Sequence, residues 1–106
     1  QREKAGMAGF VQIIQYKTSK HDDMQKVVDK FREQTAGRRT TARGMDCSDR
    51  DNPGQFMTIV EFPSYEAAMK NNDLPETQAL SAEMMKLADG PPTFYNLNIE
   101  RLFEDG

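Results

Sequence analysis

Residues 52–70 read, without a break, as a turn, a strand and the capped start of a helix, and any fold for this chain must accommodate that order. Asn52-Pro53-Gly54 supplies the turn: Pro53 fixes φ and Gly54 tolerates positive φ at no steric cost. Gln55 to Phe62 is a run of β-branched and aromatic residues suited to a strand. Pro63 has no N–H for a ladder and ends that strand, and Ser64 is a favoured N-cap for the helix that follows. Within the strand, Phe56, Thr58, Val60 and Phe62 share one face, while Met57, Ile59 and Glu61 share the other. Both faces are mostly apolar, which predicts a central strand covered on both sides.

The rest of the chain fits around this unit. Gly9 to Lys17 is a second strand, with Phe10, Gln12, Ile14 and Tyr16 on one face and Val11 and Ile13 on the other; it too is predicted to be central. Ser19 and Asp22 have capping-box spacing and predict the start of a helix that runs to about Thr35. Met24, Val27, Val28 and Phe31 form its single apolar stripe, and Gly37 is its stop. Residues 39–48 contain Arg43, Gly44 and Asp46 and build no apolar face, which places a polar strand at a sheet edge. Ser64 to Lys70 begins a helix that breaks at Asn71-Asn72-Asp73 and restarts at Leu74-Pro75. Leu80, Met84, Leu87 and Ala88 continue it to Gly90-Pro91-Pro92. Finally, residues 93–103 alternate Tyr95, Leu97, Ile99 and Phe103 against Asn96, Asn98 and Glu100.

The order β-α-β-β-α-β defines an α+β, ferredoxin-like domain with an antiparallel four-stranded sheet of spatial order 4-1-3-2. That order puts the first and third strands in the centre, in agreement with their two-sided hydrophobicity. The domain is expected to span residues 9–104, with residues 1–8 a disordered N-terminal segment or a cloning remnant. At 106 residues the chain is a single domain with a modest core, so a sizeable cavity is expected more readily between two subunits than inside one.

A net charge of −3, with acidic and basic residues interspersed, speaks against nucleic acid as a partner, because Arg38, Arg39 and Arg43 are offset by Asp46, Asp49 and Asp51. No apolar run approaches the roughly 20 residues that span a bilayer, so no membrane partner is expected. The start of the sequence lacks the charged-then-apolar layout of a signal peptide. Cys47 is the sole cysteine, which rules out an intrachain disulfide and a thiolate metal site and leads us to expect a reducing, cytoplasmic compartment.

The motifs Asn52-Pro53-Gly54, Val60-Glu61-Phe62-Pro63-Ser64, Pro75-Glu76-Thr77 and Gly90-Pro91-Pro92, spread over nearly the whole chain from Gly9 to about Phe103, resemble the antibiotic-biosynthesis-monooxygenase domain of the dimeric α+β barrel superfamily. The resemblance implies a homodimer whose two sheets close into a barrel, each protomer keeping a pocket between its sheet and second helix for a small apolar or aromatic ligand. It further implies oxygenation of phenols or quinols without metal or flavin, the substrate itself supplying electrons to O₂. The chain departs from the family pattern at Asn71 and Glu76, where members often carry histidines. It has no Trp and lacks the helix histidine of the haem-degrading branch.

The candidate site residues are few. Gln12, alone in an apolar strand face, is placed to hydrogen-bond a ligand or merely a polar neighbour. Asn71 stands where the family often places a pocket-facing histidine; it can orient a hydroxyl or serve as a helix-break residue. Met69 is the methionine expected to reach a cavity, the others being core. Glu76 is the one candidate catalytic base, provided burial raises its pKa; otherwise it is a first-turn carboxylate that complements the helix dipole. His21, the single histidine, reads as a solvated loop residue, and no metal site is expected. Two functions follow: a cofactor-independent monooxygenase of aromatic, quinol or polyketide-like molecules, or a non-catalytic small-molecule-binding or stress-associated barrel. Convergence of Gln12, Asn71 and Glu76 on one apolar cavity favours the first.

Overall fold

The computed structural model describes residues 9–105. Its elements are β1 (Phe10–Lys17), α1 (His21–Gln34), β2 (Arg43–Ser48), β3 (Gln55–Phe62), α2 (Tyr65–Asn72), α3 (Pro75–Leu87) and β4 (Thr93–Asn98). The four strands form one antiparallel sheet of order β2-β3-β1-β4, the ferredoxin-like arrangement. Residues 1–8 and their expected disorder lie outside the described residues. Among the described residues, no helix is long and apolar enough to cross a membrane.

Register fixes which side chains share a face. Phe10 pairs with Phe62, Gln12 with Val60, and Tyr16 with Phe56. This face carries the core: Phe10, Phe62 and Ala68 are buried together, with Val60, Ala67 and Met69 against them. Tyr65 of α2 meets Phe10 edge to face at 5.3 Å, and Met24 of α1 is 1% exposed. Continuing the same register across β4 brings Phe94, Asn96 and Asn98 to the helix side, opposite Ile14, Gln12 and Phe10.

The apolar stripe of β4 therefore points the other way. Tyr95 and Leu97 share the opposite face of the sheet with Val11 and Ile13 of β1, Met57 and Ile59 of β3, and Met45 and Cys47 of β2. No described helix packs on that face, and Tyr95 and Leu97 stand 41% and 45% exposed.

The element ends follow local chemistry. Ser64 caps α2, its Oγ accepting from the Ala67 N–H at 3.1 Å, and Pro75 sits in the first turn of α3. The expected Ser19–Asp22 capping box does not form. Thr18 takes the role instead: its Oγ1 accepts from the Lys20 N–H at 2.9 Å and donates to the Leu87 carbonyl at 2.7 Å. A buried hydroxyl with two backbone partners thus outcompetes an exposed serine next to it. β2 begins at Arg43 rather than residue 39, because Arg38 and Arg39 wrap the end of α1 through N–H bonds to the Thr35 carbonyl. Gly37, at φ +83°, makes that wrap sterically possible. β4 ends at Asn98, not Phe103, since its partner β1 starts at Phe10; the Ile99 N–H bond to the Gly9 carbonyl is the last in that direction.

Candidate functional site

A half-open cavity of about 700 Å³ lies between the helix-facing side of β1 and β4 and the helices α2 and α3. It is formed by one chain alone, whereas a chain this short was expected to build a sizeable cavity more readily between two subunits. The break at Asn71-Asn72-Asp73 opens the space. It sets α3 off from α2 as a separate lid-like helix, whose contacts are mainly with α1.

The floor is Ile14, Tyr16 and Phe94, with Gln12 and Asn96 between them. Met24, Met69, Met84 and Met85 contribute thioether walls. Such unbranched side chains adapt to a flat apolar ligand. Met69, the methionine expected to reach a cavity, lines this space together with Met24, Met84 and Met85. Polar groups enter from α2 and α3 as Asn72, Thr77, Gln78 and Ser81. No Asp, Glu, Lys, Arg or His lines the cavity among the described residues. Its chemistry is that of amides and hydroxyls, which orient a ligand's oxygen atoms but do not remove a proton at neutral pH.

Gln12 is among the lining residues, and its Nε2 donates to Asn96 Oδ1 at 3.2 Å, the bond to a polar neighbour that was one of its two readings. Asn71, in the last turn of α2, is 7% exposed and outside the cavity lining; its carbonyl accepts from Thr77 Oγ1 at 2.6 Å, and its Oδ1 has no partner among the described residues. The next residue, Asn72, faces the cavity instead, because one step along a helix rotates a side chain by about 100°.

Glu76 is also outside the cavity. Its two carboxylate oxygens accept from Arg38 Nη1 and Nη2, at 3.3 and 2.8 Å. That hydrogen-bonded guanidinium holds the Glu76 carboxyl below the usual carboxylate range, the opposite of what a general base needs. Glu76 is a first-turn acid of α3 that ties this helix to the end of α1. Gln12, Asn71 and Glu76 therefore do not converge.

His21 is no solvated loop residue: it opens α1, and its ring lies parallel to Phe56 at 4.1 Å with Nδ1 buried. Behind Phe56, the Tyr16 hydroxyl is pushed above its ordinary pKa by burial, with the charge of Asp46 adding to the effect and the Thr58 hydroxyl working against it. Among the described residues, no group of three or more His, Cys, Asp or Glu side chains is arranged to hold a metal ion.

No protein-family model and no curated protein sequence matches the chain. Solved structures match it over most of its length. A conserved protein from Methanosarcina mazei Go1 superposes with a TM-score of 0.78 at 8% identity, covering 91% of this chain and 97% of the other. SnoaB, a cofactor-independent oxygenase from Streptomyces nogalater, gives 0.78 at 9% identity over 92% and 99%. A structure described as an antibiotic biosynthesis monooxygenase gives 0.68 at 17% identity over 83% and 95%. The chain thus has the fold of antibiotic-biosynthesis-monooxygenase-like domains, as its motifs implied.

Proposed function

We propose that the protein is a cofactor-independent monooxygenase acting on a ring-hydroxylated aromatic or quinol-like molecule. The observation that carries this reading is the cavity itself, apolar and large enough for a polycyclic ring system. With no charged base in the lining among the described residues, the substrate's own acidity sets its ionised fraction, which for a phenolic hydroxyl is small at neutral pH and rises with pH. The ionised ring then reduces O₂ directly. For a ring methylene, two hydrogens leave the carbon, one oxygen atom becomes the new carbonyl, and the other departs as water. The protein's part is to hold the ring, exclude bulk water and admit oxygen. SnoaB, described as a cofactor-independent oxygenase, has the same fold and supports the reading.

The working unit of this proposal is a homodimer. The uncovered sheet face around Val11, Ile13, Ile59, Tyr95 and Leu97 is apolar, and a second copy packed upon it would close the barrel that the sequence motifs imply. Oxygen consumption with hydroxylated ring compounds in metal-free buffer tests the catalytic reading. Ligand binding without turnover would instead identify a non-catalytic binding barrel, a reading favoured by the lack of any charged residue in the cavity.

A further inference from the structure

Gln12 and Asn96 are registered partners on adjacent strands, set between Phe10, Ile14 and Phe94 on the cavity floor. Their mutual hydrogen bond of 3.2 Å consumes one N–H of Gln12 and one lone pair of Asn96. Neither side chain has another hydrogen-bond partner among the described residues. Each primary amide carries one carbonyl oxygen and two N–H donors. Gln12 Oε1 is therefore left as an open acceptor, and Asn96 Nδ2 as an open donor. Rotating both amides by half a turn only exchanges which residue supplies which; the pair still offers one acceptor and one donor group.

We infer that Gln12 and Asn96 act together as the specificity-determining socket for a hydroxyl on the ring ligand, one amide accepting its O–H and the other donating to its oxygen. This rests on the oxygenase reading for the ring class, and it goes further by naming which substituent is read and by which atoms. A hydroxyl is both donor and acceptor and satisfies the two open groups at once. A methyl group of the same size satisfies neither, and leaves two amide groups cut off from water beneath an apolar ring, which is costly. On the strand floor the neighbouring side chains offer the ring mainly apolar and aromatic surface, so there this pair is what reads a polar substituent.

The test is binding of naphthol and of methylnaphthalene, matched in shape, to the full chain, followed by ligand fluorescence. The wild type is expected to bind naphthol about tenfold more tightly, the effect of roughly one net hydrogen bond to a half-open site. Gln12→Met with Asn96→Leu, close in shape and without the amides, is expected to lose or reverse that preference while retaining a cooperative melt. Equal binding by the wild type, no binding of either compound, or a preference that persists in the folded double variant would overturn the assignment. The wild-type comparison decides even if the double variant does not fold. A naphthol preference without oxygen uptake would leave the socket standing and remove the oxygenase reading. Oxygen uptake with equal binding would do the reverse.

Discussion

Arg38 and Glu76 join the end of α1 to the start of α3 through two guanidinium–carboxylate hydrogen bonds, the shorter 2.8 Å. Arg38 also donates to the Gln34 carbonyl at 2.8 Å, so one side chain caps α1 and anchors α3, the helix that roofs the cavity. The pair positions an element of the site without entering it.

A pH dependence follows. The Glu76 carboxyl titrates below its unfolded value because of Arg38, so the stability it contributes is complete above the unfolded pKa and is lost as pH falls through the folded one. Glu76→Gln should be slightly less stable than the wild type at neutral pH, by a small margin because the pair is solvent-exposed, and the difference should close in acid. Thermal melts of both proteins from neutral to acidic pH check this; a gap that widens in acid would contradict it.

Thr18 is the second structural hinge point. Its hydroxyl ties the start of α1 to the end of α3, and its N–H bonds the Gly54 carbonyl at 3.0 Å. Thr18→Val keeps the shape but removes the hydroxyl from two partly buried backbone groups, and should cost about 1 kcal/mol in urea unfolding. Thr18→Ser should recover most of the loss. A neutral Thr18→Val would mean that water reaches those groups.

The exposed sheet face predicts association. Light scattering of the wild type at micromolar concentration should give twice the chain mass. Leu97→Glu, which places a charge on the β4 side of the apolar face, should give the single chain mass with its fold intact. A monomeric wild type would remove the homodimer from the proposal.

Much of this architecture was legible in the sequence because strong local signals agreed with the global order. Pro63, Ser64 and Pro75 fixed the junctions, and the two-sided apolar strands fixed which of them are central. Gln12 was legible as a candidate because it is the one polar side chain in its apolar face of β1. Asn96 was not. In a strand alternating Tyr95 and Leu97 with asparagines, the polar positions read as solvent-facing. Only the β1–β4 register reveals that they face the helices while the apolar ones await another surface. Glu76 is the first-turn carboxylate that was one of its two readings, but its pairing was not legible. Its partner Arg38 lies 38 positions earlier in a loop whose course no periodicity encodes. Thr18 and Ser19 are adjacent hydroxyl residues, and burial alone chose between them.

The absence of a charged group from the cavity lining makes a kinetic prediction. The pH profile of oxygen uptake should move with the acidity of the substrate across a series of substituted quinols. A profile fixed at one pH regardless of substrate would reveal a protein base and contradict the arrangement described.

The most direct measurement is oxygen consumption with a panel of anthrones, naphthols and hydroquinones in metal-free buffer containing a chelator. The account predicts turnover that survives the chelator, falls when Gln12 is replaced by Ala, and is unchanged in Glu76→Gln. No uptake with any of these compounds, or uptake abolished by the chelator, would contradict it.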